Sequence, residues 1–599
     1  MALCSIAAPC SAVVFQRKIL ESPEHRLAVD QNIVNTRGIN LGVIKMNWLL
    51  GRYSVLFYAM LGNVAFGTGL MLGIGPEAIL GGCLLLSLVL STLGLHDFFQ
   101  KHSPVRANFP VLGRLRYLFE SIRPELRQYF WEEDDAELPY SRNQRAMVYQ
   151  RAKSEFATRP FGSIEAMYDE DFSWLNHSIS PVEIQASDFP TTVGEGDMAY
   201  QASLLNISGT SFGALSPPAI EALNRGAAQG NFAHNTGEGS VSPYHVAGGG
   251  DLILQVSTGY FGFRTPTGDL DEKRFEAQAN RSQIKMIEIK LSQGAKPGHG
   301  GMLPGAKVNR EIASTRGIPE GLDCLSPAVH RAFNSPLTLL NFADKLRHLS
   351  GGKPVGIKLC IGHPWELIAI VKTMVETGLV LDFITVDGAE GGTGAAPAEF
   401  SDHLGCPLTD AVVFADNCLR GAGLRERVKI AASGKLVSAF DIVRHCALGA
   451  DWVNMARPFM FALGCIQARS CSSDHCPTGI ATMDPGRYRV LDIPLKANRV
   501  ANFHRNTLHA VGELIGAAGI HHPSALTRRH IVRRLSGSEI LLADQIYPSI
   551  ANGQLFTDEP IADPRLAVYW DRVGQDQFSP ITPVEGPAGP VAQPRNSID

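Results

Sequence analysis

Three cysteines fall within twelve residues, in the order Cys465, Cys471 and Cys476, with five and then four residues between them and Pro477 after the last. Three thiolates this close, closed by a proline, suit an iron–sulfur cluster. With three ligands rather than four, a 3Fe–4S centre is preferred over 4Fe–4S. Zinc would ask for a fourth ligand in sequence, and His475 sits awkwardly beside Cys476. The density of thiols argues against three merely buried structural cysteines.

A second set of residues suits a phosphate-bearing cofactor. Ser433-Gly434-Lys435 is a glycine turn that lets backbone N–H groups approach an anion, and a helix opening near Ser438 adds its positive end. Ala456-Arg457 offers a guanidinium to the same phosphate. The loop Gly391-Gly392-Thr393-Gly394 would cover the same end. Any one of these alone reads as a tight turn; three in the right order point to a cofactor. Lys358 lies inside the apolar run VGIKLCI. It either snorkels outward past a helix or points inward, where it would stabilise negative charge on a reduced flavin ring.

These loops need a scaffold that brings them to one end. After Gln201 short apolar runs end in glycine-rich loops and are followed by helical stretches: SLLNIS, PVGIKLCIG, DFITVDG, VKIAASG and DWVNMA each lead into one. Strand–loop–helix alternation of this kind, with about eight strands over roughly 290 residues, predicts an α/β fold, a (β/α)8 TIM-type barrel. Its reactive groups belong at the C-terminal ends of the strands, with phosphate after strands seven and eight.

Upstream of the barrel, no charged residue occurs from Tyr53 to Ile74 or from Ala78 to Leu95, and Gly75-Pro76-Glu77 separates the two runs. The first is long enough to span a bilayer and the second is borderline, so the pair predicts a transmembrane helical hairpin; a buried core hairpin is the bland alternative. Lys45 and Arg52 precede it and Lys101, Arg106, Arg114 and Arg116 follow it, which places both ends, and the catalytic domain, on the cytoplasmic side of the inner membrane. The expected organisation is an N-terminal extension over 1–45, the hairpin over 46–100, and a helical or irregular linker over 101–200. The barrel with its cysteine segment follows over 201–490, then a short C-terminal helical extension over 491–547 and a disordered tail over 548–599. Met46 would make a natural start. Part of the 101–200 region reads as an amphipathic helix near the membrane surface, its charged residues as a solvated face rather than a partner site. A net charge of −4 over 599 residues gives no basic field for nucleic acid, and 11 unevenly spread cysteines do not read as a secreted disulfide framework.

Several motifs in fixed order carry a resemblance. Ser211-Phe212-Gly213-Ala214, His234-Asn235-Thr236-Gly237-Glu238-Gly239, Gln293-Gly294-Ala295-Lys296-Pro297-Gly298, Gly391 to Ala395, and Gly464-Cys465 through Cys476-Pro477 to Thr482 resemble the FMN-binding domain of glutamate synthase, over roughly Leu204 to Gly516. The chain looks most like the stand-alone proteins of that family with an N-terminal membrane hairpin. The resemblance implies FMN, with Ser211 and Gly213 among its contacts, and a 3Fe–4S cluster. It implies reduction of 2-iminoglutarate, formed from 2-oxoglutarate and ammonia, to glutamate. Carried over by motif, Lys296 and Arg316 bind the carboxylates of a dicarboxylate substrate, Glu238 lies near the ammonia or imine, and Lys358 faces the flavin. The family segment Lys-Pro-Gly-Glu-Gly-Gly-Gln here reads Lys296-Pro297-Gly298-His299-Gly300-Gly301-Met302, so an acid has become His299 and a polar substrate contact has become Met302. Neither a glutaminase domain with an N-terminal cysteine nor a strand-linked dinucleotide fingerprint is found in this sequence. Electrons are therefore expected from a separate donor, a ferredoxin or an NADPH-dependent subunit, or from the membrane, and a separate glutaminase is an open source of ammonia. Two rivals stand beside this reading: a membrane dehydrogenase passing electrons from a 2-oxo, 2-hydroxy or amino acid to quinone, and a non-catalytic electron-transfer subunit.

Overall fold

A computed structural model of the chain describes residues 51–136, 139–155, 161–184 and 188–581. The expected extension over 1–45, the start at Met46 and the last 18 residues of the tail lie outside them. The chain divides into two units between Glu132 and Glu133.

The first unit holds two apolar helices, α1 (Ser54–Met71) and α2 (Glu77–Phe99). Gly73 and Gly75 take positive φ at the turn between them, where a side chain would be strained, and Pro76 caps α2. Both helices are long and apolar enough to cross a bilayer by length and composition, and only 11% and 17% of their most apolar windows are buried. Small residues let them approach: a Cβ on Gly94 would lie 2.7 Å from Leu56. A polar clasp joins them, with Asn63 donating to Ser91 Oγ at 2.8 Å and accepting from Ser87 Oγ at 2.6 Å. After a short helix over Pro104–Asn108, a longer one, α3 (Leu112–Leu126), runs on into a wider turn over Arg127–Trp131.

The second unit is built on a closed barrel of eight parallel strands. In chain order they are β1 (Leu205–Ile207), β2 (His234–Asn235), β3 (Leu252–Val256), β4 (Ile284–Lys290), β5 (Val355–Leu359), β6 (Phe383–Asp387), β7 (Lys429–Ser433) and β8 (Trp452–Met455). Neighbours in sequence are neighbours in the barrel, and β8 closes on β1 with Val453 opposite Leu205. The five strands read from sequence are five of these eight. The helices that follow are α4 (Pro217–Gly230), α5 (Glu272–Ala279), α6 (Pro336–Leu349), α7 (Pro364–Thr377), α8 (Leu408–Gly421), α9 (Ala439–Leu448) and α10 (Arg457–Leu463).

Alternation along the strands sorts the interior into layers. Ile253, Met286, Phe383, Ala431 and Trp452 plug the floor with Val193 and Ala202 from a hairpin below it. Gly356 makes this possible, because a Cβ there would meet Phe383 at 2.3 Å. One step up, buried Glu288 accepts from Asn235 and Gln255 at 2.7 Å each and from Thr385 at 2.8 Å. Above that layer come the groups of the mouth. Between β4 and α6 an insertion carries a short antiparallel pair, Met302–Leu303 with Cys324–Leu325, and the helix Arg310–Arg316.

The 25-residue helix α11 (Ile493–Ala517) packs on α4. Beyond residue 547, where the sequence reading places a tail, the helix Pro564–Tyr569 buries Leu566, and Trp570 and Val573 are buried after it. Lys372 ties this segment to α7 through the carbonyls of Trp570 and Val573 at 2.9 and 3.2 Å. A few apolar anchors suffice to dock a proline-rich stretch on a surface the barrel already provides.

Candidate active site

Strand ends and the 291–335 insertion enclose a cavity of about 210 Å3 at the barrel mouth. Glu238, Lys296 and Arg316 meet on it, with Ser211, Lys358, Gly392, Thr393, Gly394, Ala456, Arg457 and Cys471 along its walls. Residues from seven separate segments are brought together, as a barrel does by ending its strands at one face.

The charges are unequal. Glu238 sits on a tight turn after β2, and its Oε2 accepts from Lys290 Nζ at 2.8 Å. Burial alone would raise its pKa, but Lys290, Arg316 and Lys296 more than offset that and hold the carboxyl at about 2. Lys296 is buried and its pKa is pushed down by burial, partly restored by Glu238. Arg316 is 2% exposed. It donates to the Phe212 carbonyl at 2.9 Å, lies over the Phe261 ring at 5.4 Å, and leaves Nε buried without a hydrogen-bond partner. Three cations thus face one carboxylate.

Lys290 escaped the sequence reading, although alternation in IKMIEIK puts it on the same face as Glu288 two residues earlier. His330 places it: Nε2 donates to the Lys290 carbonyl at 2.9 Å and Nδ1 meets the Tyr260 hydroxyl at 3.1 Å. Burial brings the His330 pKa to about 4, so the ring is neutral at pH 7. Of the two departures noted in sequence, Met302 lines the cavity, whereas His299 turns away, edge-on to Phe400. Gly213 does not line it; it gives room to Leu303 and Arg316, which a Cβ would approach to 3.0 and 3.5 Å.

Lys358 points inward, not outward. It pairs with Asp387 at 3.3 Å; burial would lower its pKa, but Asp387 and Glu288 raise it, so the ammonium stays charged. A smaller cavity of about 60 Å3 continues from it to Gly391, Ser433, Gly434, Ala456 and Arg457. Gly434 has φ +136, a conformation that glycine adopts readily, and a Cβ there would lie 3.1 Å from the Gly388 nitrogen, so the chain passes closely here. Arg457 is held flat, over the Tyr140 ring at 4.8 Å and against Gly392, whose Cβ would meet its Cζ at 2.2 Å. Glycine turn, guanidinium and inward lysine form a cradle whose donor set fits a phosphate at one end and an electron-rich ring at the other.

Cys471 lines the main cavity and Cys465 a larger one of about 700 Å3 behind the Gly391–Ala395 loop. Cys476 is buried below them. Among the described residues no three His, Cys, Asp or Glu side chains converge as a single ion requires. The three thiols still lie close enough to affect one another: burial raises Cys465 to about 11 and raises Cys471, and the neighbouring thiols add to both. Burial would raise Cys476 too, but the Thr478 hydroxyl and backbone N–H groups of Ala481, Thr478 and Ile480 bring it below the ordinary value. Gln467 N–H donates to Cys465 Sγ at 3.4 Å. N–H donors aimed at sulfur suit thiolates that share a multi-atom cluster, which spans more space than one ion.

A second residue missed in sequence, Lys307, connects the two halves of the site. It is buried and donates to the carbonyls of Cys471 and Ala481, both at 2.8 Å. Nothing in its local sequence marks it.

The description "conserved region in glutamate synthase" matches residues 179–521. A glutamate synthase large subunit-like protein, YerD, of Bacillus subtilis is 37% identical over 489 residues, covering 75% of this chain and 93% of its own length. Proteins named archaeal glutamate synthase [NADPH] from Archaeoglobus fulgidus and Methanocaldococcus jannaschii are 34% and 37% identical, over 61% and 58% of this chain. The chain spans 66% and 65% of their lengths.

Proposed function

Because this chain belongs to the glutamate synthase family, we propose that it is a flavin-dependent oxidoreductase that reduces an imino acid, 2-iminoglutarate from 2-oxoglutarate and ammonia, using FMN and a 3Fe–4S cluster. One observation carries the reading: around a cavity of about 210 Å3 the carboxylate of Glu238 is outnumbered by Lys290, Lys296 and Arg316, with Lys307, Lys358 and Arg457 also on the walls, an excess of positive charge that suits a small dianion.

FMN, when bound, supplies a hydride to the substrate carbon. The chain's own residues do the rest. Lys296 and Arg316 pair with the substrate carboxylates and fix the molecule at the mouth. Glu238, kept ionised by Lys290, accepts N–H from ammonia or the iminium and orients it. Lys358, aimed by Asp387, would keep positive charge beside a flavin ring bound there. Gly434, Ser433, Ala456 and Arg457 would hold its phosphate, and Cys465, Cys471 and Cys476 would hold the cluster. A separate electron donor, a ferredoxin or an NADPH-dependent subunit, would feed that cluster, with ammonia free or from a separate glutaminase. The apolar pair α1 and α2, with basic residues on both sides, supports anchoring in the inner membrane with the barrel in the cytoplasm. The same pair favours a second reading, in which a 2-oxo or amino acid site exchanges electrons with quinone.

The test is reoxidation. Purified enzyme reduced by an artificial one-electron donor should be reoxidised by 2-oxoglutarate with ammonium, yielding glutamate, and not by 2-oxoglutarate with glutamine alone. Reoxidation by a quinone analogue but not by any 2-oxo acid with ammonium would replace the first reading by the second.

A further inference from the structure

Helix α3 is amphipathic and uncovered. At about 100° per residue, Leu112, Leu115, Leu118, Phe119, Ile122 and Leu126 fall in one arc of roughly 120°. Five of the six are exposed, and Phe130 and Trp131, at 76% and 69% exposure, continue past the helix end. Along one edge of the arc Arg116, Arg123 and Arg127 stand seven and four residues apart, in a row. Glu120 pairs with Arg116 at 3.3 Å, and Glu125 lies on the opposite border. Between residues 101 and 131 there are six Lys or Arg against two Glu.

The start of this helix is fixed to the end of α2. Asp97 is fully buried in the last turn of α2 and receives both Arg114 Nε at 2.7 Å and Arg114 Nη2 at 2.8 Å, a two-pronged pair. The Val111 N–H adds a third bond to Asp97 at 3.3 Å, and Val111 itself is held at φ +69, a costly conformation for a β-branched residue that only a well-tied corner maintains. The Ser103 and Tyr117 hydroxyls are 2.6 Å apart across the same corner. The amphipathic helix therefore cannot swing freely; it leaves the second apolar helix at a set angle.

We propose that α3 lies on the membrane surface, its apolar arc in the acyl boundary and its arginine row on anionic phospholipid headgroups. The occupant follows from two facts. The arc is continuous, through the Asp97–Arg114 corner, with a helix long and apolar enough to span a bilayer. The edge of the arc is basic and the segment ends in Tyr129, Phe130 and Trp131, the ring types that sit at the interface. Each arginine near an anionic leaflet strengthens attachment several-fold, so three together change affinity by roughly a hundredfold. The inference rests on reading α1 and α2 as membrane spans, and the experiment separates the two.

Full-length protein is reconstituted into nanodiscs of phosphatidylcholine alone or with phosphatidylglycerol, and backbone hydrogen exchange is followed by region. Residues 54–71 and 77–99 should be protected in both lipids. Residues 112–131 should exchange roughly tenfold more slowly with phosphatidylglycerol, and the triple variant R116Q/R123Q/R127Q should lose that difference without changing the protection of 77–99. Equal exchange of 112–131 in both lipids, with the hairpin protected, overturns this proposal alone. Protection of 112–131 that depends on protein concentration and not on lipid charge assigns the arc to a second copy and overturns it too. Failure of 54–99 to show protection, or of the protein to enter nanodiscs, overturns the membrane reading itself and this proposal with it.

Discussion

The ammonium of Lys307 and the backbone carbonyl of Cys471 are 2.8 Å apart, and the same ammonium holds the carbonyl of Ala481 at the same distance. Lys307 comes from the insertion that also carries Met302 and Arg316, so one buried side chain ties this wall of the cavity to the cysteine segment.

Removing it takes the donor from two carbonyls, that of Ala481 buried and that of Cys471 partly so. Hydrogen bonds to a charged group contribute about 1.5–3 kcal/mol each, so Lys307→Met should destabilise the cysteine segment by a few kcal/mol. The expected outcome is partial iron loss and faster removal of iron by a chelator, with flavin content close to wild type, and partial rescue by Lys307→Arg. Cys471→Ser should remove iron and the brown absorbance more completely while leaving most of the flavin. Iron content and chelation kinetics unchanged in Lys307→Met would show that the tie has no role in holding the cluster.

Glu238 predicts a dependence of stability on acid. Its folded pKa of about 2 lies below the ordinary value of 4.5. A carboxyl depressed in the folded state contributes stability that is fully present above its unfolded pKa and is lost as pH falls through the folded one. The window therefore runs from about pH 4.5 down to about 2, and the contribution is of order 2–3 kcal/mol. Urea unfolding of wild type and Glu238→Gln should differ most near pH 7 and converge as the pH is lowered through this window. A difference independent of pH would mean that the Lys290 pair does not hold the charge. At pH 7 the variant should retain flavin and lose turnover with ammonium.

Met302 and Arg316 separate substrate identity from cofactor binding. Arg316→Ala removes a buried cation worth about 1.5–3 kcal/mol of contact, so the KM for 2-oxoglutarate should rise roughly ten- to a hundredfold with the flavin spectrum little changed. Met302→Gln adds a donor to the cavity wall and should lower the KM for 2-oxoglutarate while raising it for 2-oxo acids with apolar side chains. If Met302→Gln leaves every 2-oxo acid unaffected, the wall at this position does not touch the substrate.

Much of this protein is legible in one dimension. The α/β barrel follows from the alternation of apolar strands, glycine loops and helices, because a repeating βα unit can bury its apolar faces only by closing or stacking. The loops after strands six, seven and eight, and the two uncharged runs over Tyr53–Ile74 and Ala78–Leu95, are likewise readable from spacing and composition alone. So is the arc of α3, since amphipathicity is a property of a single helix. What sequence could not decide is which charges face each other. Whether Lys358 points in or out depended on the barrel closing with Asp387 beside it, and Lys290 became a partner of Glu238 only when β2 and β4 ended at the same face. The role of Lys307 is more remote still: it holds carbonyls 164 and 174 residues away, and backbone acceptors leave no trace in residue type. The segment beyond Tyr547 looks like a tail because it is proline-rich and polar, yet Leu566, Trp570 and Val573 are buried against a surface that exists only after the barrel has formed. Local pattern determines elements; long-range electrostatics and docking are settled only when the chain has brought distant segments together.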